Sequence, residues 1–326
     1  MIADLGYNRP THMVMACPKP PVLVGQPPDQ QEARNDEERR ALIACFALGA
    51  IAALSVKSEP MRWSSLIARA CDRLSKNVDN KGDMVLVAMA RISRVSVEAY
   101  NTLQSLQDDL DSAPHAIHQI KALRIMLDVV KGGLTQEQLR NCMVLCYLHA
   151  VEVQIFEPAL YGLPPRTSTA PLDYQRIECF TGCLQACKAS LDNYLTIPSL
   201  TMNMPQVLAF SNTSQVLYSL SVVDCVGWDR FAARGTADVL WYFDQVVIKF
   251  EEACRQLSEE NGSEENVFSL AGGHEGLRAL SMSWRESLEN ATGARLDFDG
   301  GLVGVGDAWT MNADMWFTNV WGDVQF

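Results

Sequence analysis

Apolar residues recur every three or four positions along most of this chain, and that spacing limits the possible folds more than any other feature. Side chains at i, i+3 and i+4 lie on one face of an α-helix, so the pattern indicates amphipathic helices. The alternation of apolar and polar residues that indicates a half-buried strand is nearly absent. The sequence therefore predicts an all-α fold, in which antiparallel helices form a multi-helix bundle with loop-rich connections.

Signals for helix ends divide the periodic part of the chain into segments. Asn35 precedes three acids, which is typical of a helix start, and Thr135 with Gln138 has the spacing of a capping box. The predicted helices cover about 36–57, 61–74, 83–100, 114–132, 135–158, 173–196, a segment ending at 222, 236–257 and 274–289. We predict three parts: a partial N-terminal segment and loop at 1–34, a helical domain at 35–290 and an acidic-aromatic C-terminal tail at 291–326.

The balance of charge argues against several partners. The chain carries 27 Lys and Arg against 39 Asp and Glu, a net charge of −12. Its densest basic stretch is the pair Arg39–Arg40, so it lacks the basic patch that phosphate binding requires, and we expect no direct contact with nucleic acid. No secretory signal is evident, and the longest uncharged run, 41–56, is shorter than the roughly 20 residues that span a bilayer. This predicts an intracellular chain without a membrane contact, in which 41–56 is a buried helix.

The spacing of the ten cysteines decides what they indicate. No Cys-x-x-Cys occurs, although zinc sites in small modules depend on that spacing. Cys179, Cys183 and Cys187 are four residues apart, as are Cys142 and Cys146, which places each set on one helix face. Because cysteine is small and readily buried, we predict that both rows lie in the helix core and hold no metal.

The other groups that could carry chemistry form no recognisable constellation. His115 and His118 have an i, i+3 spacing with no indicated acidic partner, and His149 is interpreted as a hydrogen-bonded core residue. The glycines at 300–306 lack the strand and helix that frame a phosphate-binding loop. The sequence therefore predicts no catalytic residue, no metal site and no cofactor, and it favours a protein that is not an enzyme.

Several large side chains could instead line an apolar pocket for a small-molecule effector, although such residues more often belong to an ordinary core. The residues of this hypothesis are Met202, Met204, Phe210, Trp228, Trp241 and Tyr242. Trp228 follows Gly227 at a predicted turn, and we predict that it is a structural anchor.

The tail at 291–326 mixes aromatic and acidic residues, and its rings are the candidate interaction residues. They are Trp309, Trp316, Phe317, Trp321 and Phe326. One interpretation is that the tail docks in an apolar groove of the helical domain. The other is an activation segment that folds onto a protein partner. The density of rings favours docking, and reversible docking is compatible with both.

Six phrases of the sequence occur in an order that carries a family resemblance. They are MIADLGYNRP (1–10), EERRALIACFALGAIAALSVKSEPMRWSSLIARACDRL (37–74), DMVLVAMARISRVSVEAY (83–100), VEVQIFEPAL (151–160), RIECFTGCLQACKASLDNYLTIP (176–198) and VVDCVGWDRFAARGTADVLWYFDQVVIKFEEA (222–253). Together they resemble the regulatory region, or middle homology region, of fungal zinc-binuclear-cluster (six-cysteine) transcription factors. The resemblance covers about residues 1–300 and places the cysteine row at 179, 183 and 187 in a helix of this region.

The resemblance implies a transcription regulatory protein of the nucleus, with 35–290 as its regulatory domain. Family members often control metabolic or secondary-metabolite genes, and the implied partners are a coregulator or a homo- or heterodimer partner. In the family a six-cysteine DNA-binding cluster precedes this region, whereas here no Cys-x-x-Cys exists to build it. A truncated and non-functional fragment, a stand-alone regulator and an incorrect reading frame are the alternatives. Missing upstream helices would leave an apolar face for a partner to cover.

Overall fold

The structure, a computed structural model, describes residues 35–55, 58–77, 80–107, 113–161, 163, 171–198, 203–261, 276–286 and 288. The described residues are mainly helical and include no strand, which confirms the all-α prediction. The helices are α1 (Asp36–Ser55), α2 (Ser65–Leu74), α3 (Lys81–Gln107), α4 (Ala113–Gly132), α5 (Cys142–Phe156), α6 (Tyr174–Thr196), α7 (Met204–Val222), α8 (Arg230–Thr236), α9 (Val239–Asn261) and α10 (276–286).

Helix α5 lies at the centre of the fold, where α3, α4, α6 and α7 pack against it. Most of its side chains are buried, including Val144, Tyr147, Val151 and Ile155, and beyond its first two residues only a narrow stripe through Leu145, His149 and Glu152 is partly exposed. A helix that is apolar around most of its circumference has little surface suited to water, so its neighbours must enclose it. A second, smaller core forms where α1 and α2 pack on α3.

Residues Cys142–Leu160, which comprise α5 and the 3₁₀ turn that follows it, are long and apolar enough to cross a membrane. Within this segment, 78% of the most apolar window is buried inside the structure. Burial among neighbouring helices is what a core helix of a bundle requires. The run at 41–56 was predicted to be a buried helix, and its described part confirms this, since Phe46, Ala47, Ala50 and Ile51 are buried in α1.

Local capping explains where several helices begin. The Asn35 side chain accepts a hydrogen bond from the Glu38 amide at 2.8 Å, as the sequence predicts for the start of α1. The predicted start near 61 is wrong, because α2 begins at Ser65 and the Ser64 hydroxyl accepts from the Ile67 amide. Trp63 therefore precedes the helix and packs edge-on against Phe46.

The capping box of Thr135 and Gln138 exists, but the helix that it was predicted to open begins later. The Thr135 amide donates to the Gln138 side chain at 2.8 Å, and the Gln138 amide donates to the Thr135 hydroxyl at 3.2 Å. This box opens only the 3₁₀ turn Gln138–Arg140. Asn141 then caps α5 separately by accepting from the amides of Met143 and Val144. A capping box satisfies the first amides of any helical turn, so it does not fix the length of the helix.

The prediction that a long helix starts at Thr236 is also wrong. Thr236 ends the short helix α8, and α9 begins at Val239. The Asp238 carboxylate accepts from the Leu240 amide at 2.9 Å, which supplies the start of α9. The break lets Ala237 and Val239 enter the core on either side of Asp238.

Polar contacts tie α3 to two neighbouring helices. Arg40 of α1 donates two hydrogen bonds, at 2.6 and 3.0 Å, to the carboxylate of Asp83, which is buried at the start of α3. This hydrogen bond raises the pKa of Arg40. Farther along α3, the Ser96 hydroxyl donates to the Gln154 side chain of α5 at 2.7 Å. Bidentate arginine–carboxylate pairing fixes geometry as well as charge, so it sets how α1 lies on α3.

Gly182 allows α6 to approach the end of α5 closely. A Cβ at this position would lie 2.6 Å from the Phe156 ring, closer than side-chain atoms approach in folded proteins. The ring is buried, and the Arg124 guanidinium lies 5.3 Å from its centre. Phe156 therefore has little room to move away from α6.

We expect Gly182→Ala to lower the free energy of unfolding by about 1–3 kcal/mol, because the added methyl displaces the Phe156 ring. Gly49→Ala is the matched control, since Gly49 lies within α1 and its Cβ would meet nothing within 4 Å. That control should be neutral or stabilise by up to about 1 kcal/mol through helix propensity. Urea denaturation of both variants is the measurement, and equal stabilities would contradict the close approach of α5 and α6.

Candidate functional site: a junction of three sequence motifs

Three of the family-like phrases meet beyond the end of α5. We call this region the motif junction and define it by residues 157–161, Leu172–Phe180 and Val226–Asp229, which the sequence separates by up to about 70 residues. The Leu172 amide donates to the Val226 carbonyl at 2.9 Å, which joins the segment before α6 to the turn before α8. Arg176 joins α6 to the turn after α5.

A buried carboxylate lies at the first part of the motif junction. Glu157 is fully buried in the 3₁₀ turn Glu157–Leu160, and it accepts a 2.8 Å hydrogen bond from the Tyr161 hydroxyl. Burial, together with the neighbouring carboxylate, raises the pKa of Tyr161 well above its ordinary value. The hydroxyl therefore keeps its proton and acts as a donor. A carboxyl group that is shielded from water requires hydrogen-bond partners within the protein. The bond between Glu157 and Tyr161 therefore holds the two ends of this turn together.

Arg176 holds the same turn from the side of α6. Its Nε donates to the Ala159 carbonyl at 2.8 Å, and its guanidinium also donates to the Tyr161 carbonyl. Burial lowers the pKa of Arg176, although an arginine remains charged at neutral pH. The carbonyls at the end of a helix lack intrahelical partners, and a planar cation with several donors satisfies two of them at once.

The third part of the motif junction is the turn at Gly227 and Trp228. Gly227 has a φ of +99°, a left-handed conformation that glycine adopts without strain. Trp228 is partly buried, and its Nε1 donates to the Leu220 carbonyl at 3.0 Å. Its ring meets Phe180 edge-on, with 5.2 Å between the centroids. The structure thus places Trp228 where the sequence predicts an anchor, between α6 and α7.

Helix α8 extends the junction towards the surface. Asp229 caps it by accepting from the amides of Phe231 and Ala232. Arg234 donates two hydrogen bonds, at 2.9 and 2.8 Å, to the Ser221 carbonyl in the last turn of α7. Phe231 is exposed beneath the guanidinium groups of Arg230 and Arg234. In this part of the chain, Asp229 therefore caps α8, and Arg234 connects α8 to the end of α7.

The cysteine rows lie in the core, as predicted. Cys146, Cys179, Cys183 and Cys187 are all buried, and Cys142 is partly buried. A hydrogen bond with Cys187 and burial raise the pKa of Cys183 well above its usual value, and burial raises the pKa of Cys146 to about 12. Thiols with a raised pKa are protonated and poor nucleophiles. Within the described ranges, no group of three or more metal-ligating side chains converges.

The histidines also have ordinary surroundings where the structure describes them. The Nδ1 of His149 lies 2.9 Å from a carboxylate oxygen of Glu152, which confirms the hydrogen-bonded interpretation, although the ring is partly exposed. Burial raises the pKa of Glu152, but hydrogen bonds with His149 and Lys131 outweigh it, so the net pKa lies below the usual value. His118 is exposed on α4, and the side chain of His115 lies outside the described residues.

Among the described residues, the side chains of the effector-pocket hypothesis do not share one environment, and the effector itself stays a prediction. Phe210 and Tyr242 are buried in the core, while Met204 and Trp241 are exposed, and Met202 lies outside the described residues. The two best-formed cavities among the described residues each have a volume of about 10 Å³. A cavity of that size holds about one water molecule, whereas small-molecule pockets measure roughly 300–1,000 Å³.

The predicted interaction residues in the tail lie outside the described residues, so their role stays a prediction. They are Trp309, Trp316, Phe317, Trp321 and Phe326. Glu157 and Arg176 lie within two of the family-like phrases but are not among the predicted site residues. Glu157 has a signal in the sequence, a lone charge in the apolar run IFEPAL, since such a charge is buried only with a partner. Arg176 has no such signal, because Asp173 and Glu178 flank it.

Comparison with known proteins adds one finding on function. The chain is 27% identical over 266 residues to the protein described as "Transcription factor opdL" from Penicillium oxalicum (strain 114-2 / CGMCC 5302). The aligned region covers 76% of this chain and 45% of that protein, so the chain spans about half the length of the relative that it matches. No protein-family model matches the chain, and no solved structure matches it.

The match supports similarity to a fungal transcription factor and a role in transcription regulation. That relative is described as a transcription factor and not as an enzyme. In the motif junction, the hydrogen bonds of Arg176, Trp228 and Leu172 connect α6 and α7 with the turns around them.

We expect Trp228→Ala to lower the free energy of unfolding by about 3 kcal/mol, because it removes the Phe180 contact and the indole hydrogen bond together. Trp241→Ala is the control, since Trp241 is 49% exposed on α9, and a surface substitution of that kind costs about 0.5 kcal/mol. Chemical denaturation followed by circular dichroism measures both. If the two variants unfold at the same denaturant concentration, Trp228 is not the anchor of the junction.

Proposed function

We propose that this chain is the regulatory module of a fungal transcription factor and acts in the nucleus through protein contacts. The observation that carries the proposal is the similarity to a transcription factor over 266 residues. The resemblance of the ordered phrases to the middle homology region supports the finer assignment, and control of metabolic or secondary-metabolite genes is the process that this family suggests. The helical fold is consistent with a scaffold that presents surfaces to other proteins.

Charge supports protein contacts over direct contact with DNA. The net charge is −12, and Arg40, Arg176 and Arg234 of the family-like phrases donate hydrogen bonds within the protein. Binding to the DNA backbone requires cations that are free to displace counterions from phosphates. In our proposal, DNA is therefore reached through a partner, either a coregulator or a second subunit.

The aromatic residues of 291–326 are the proposed contacts with that partner. This segment contains three of the seven tryptophans, with acids interspersed among them. Aromatic anchors dominate the energy of protein interfaces, and acids keep such a segment soluble until it binds. Trp316 and Trp321 are the residues that we expect to contribute most.

We expect the full chain, fused to an unrelated DNA-binding domain, to change expression of a reporter gene in fungal cells by at least threefold. Trp316→Ala with Trp321→Ala should abolish most of this change, because the two substitutions remove the aromatic anchors. The measurement is reporter output normalised to the amount of fusion protein.

The control for this experiment is Trp241→Ala, which removes an exposed tryptophan of the helical domain instead. We expect this variant to act like the unmodified fusion. A fusion at normal abundance that leaves the reporter unchanged would contradict the proposal. So would an unaltered response in the double variant, which would place the contact outside the aromatic tail.

A further inference from the structure

One helix of the structure carries an apolar stripe that no described residue covers. Helix α4 buries Ile120, Leu123 and Leu127 against its neighbours. On its opposite side Ile125 is 65% exposed and Val129 is 72% exposed, and the spacing of four places them on one line. They are the most exposed β-branched aliphatic residues among those described. With Lys121, Ala122 and Arg124, which are also exposed, they form what we call the α4 outer face.

Unpaired cations border this stripe, which is unusual in so acidic a chain. Among the described residues, no carboxylate lies within ion-pair distance of Lys121 or Arg124. The nearby Lys131 is paired with Glu152 instead, and Asp128 is the acid on the exposed side of α4. The Arg124 guanidinium also lies 5.3 Å from the centre of the Phe156 ring, a contact that leaves its charge in place. The α4 outer face therefore combines apolar surface with positive charge that no described carboxylate neutralises.

Two other sets of exposed apolar residues lie beside cations that are already engaged. Trp241 and Ile248 alternate with Asp244 and Glu251 along α9, and these two acids pair with Arg285 and Arg278. Lys249, next to Ile248, donates to the Leu195 carbonyl. Around Phe231, both nearby cations are already engaged, since Arg234 donates to the Ser221 carbonyl and Arg230 lies 3.8 Å from Asp224.

The chain itself contains a segment of complementary chemistry. Residues 296–326 hold five acids and no lysine or arginine, and their rings include Trp309, Trp316 and Trp321. About 20 residues separate Leu288 from Trp309, and an extended chain of that length spans roughly 70 Å. A domain of this size is about 50 Å across, so the segment can reach any face of it.

We propose that the α4 outer face is the docking surface for residues 305–326 of the same chain. The rings pack against Ile125 and Val129, while the acids of the segment lie near Lys121 and Arg124. Burial of apolar area supplies most of the affinity, and the cations that no described carboxylate neutralises select this face over α9. Docking uses the same aromatic side chains as the proposed partner contact, so the two are mutually exclusive. The proposal itself rests on α4 and the charge of the segment, not on the transcription role.

Hydrogen–deuterium exchange of the full chain, read by mass spectrometry, tests this docking. We expect the amides of 305–326 to exchange at least tenfold more slowly than their intrinsic rates. Ile125→Asp with Val129→Asp should restore the intrinsic rates, because the apolar stripe is lost and negative charge is added. Lys121→Glu should reduce the protection at low salt, since the charges on this face are exposed and therefore screened by salt.

Ile248→Asp on α9 is the matched control, because Ile248 is also an exposed isoleucine on a helix. It should leave the exchange of 305–326 unchanged, and α5 should stay protected in all variants, which shows that the fold is intact. Exchange at intrinsic rates in the unmodified chain would overturn the proposal. Protection that survives the α4 substitutions, or that depends on protein concentration, would also overturn it, in favour of another face or a second copy.

Discussion

The need to enclose α5 on most sides is the constraint on which the rest of the structure depends. This helix is apolar around most of its circumference, apart from a partly exposed stripe with His149 and Glu152, so it is stable only when other helices surround the rest. Its neighbours α3, α4, α6 and α7 meet that need. Each of them then has one face directed at α5 and another available for further contacts. The position of α4, with its outer face exposed, follows from this arrangement.

The end of α5 is where an enclosed helix becomes costly, because its last carbonyls need partners away from water. In the turn that follows α5, Arg176 donates to the carbonyls of Ala159 and Tyr161, and the Tyr161 hydroxyl donates to Glu157. The same residues fix the start of α6, and the Leu172–Val226 hydrogen bond extends the connection to α8. The family-like phrases therefore mark positions that hold helices together. We infer that function depends on the surfaces that this scaffold presents and not on the phrases themselves.

Helical periodicity predicted most of the fold, because the local spacing of apolar residues determines which face of a helix is buried. The exact ends were harder to predict. Thr135 forms its capping box but opens only a short turn, and Thr236 closes a helix instead of starting one. At both places several capping residues occur close together, and tertiary packing decides which of them begins a long helix.

The contacts of the motif junction could not be predicted in the same way. Glu157 and Arg176 are 19 residues apart in the sequence, and nothing in their spacing specifies that they hold the same turn. The burial of single aromatic residues was also hard to predict. Trp241 and Tyr242 are adjacent in the sequence, but Trp241 is exposed and Tyr242 is buried. A side chain's position around the helix axis determines burial, and that depends on which neighbours enclose the helix.

A role in transcription is the central claim, and transcript profiling in the source organism tests it most directly. The comparison is between the unmodified strain, a strain without this gene and the same strain with the gene restored. The account predicts that a discrete group of transcripts changes on deletion and returns when the intact chain is supplied. An unchanged transcript profile, under conditions in which the protein is abundant, would contradict a regulatory function.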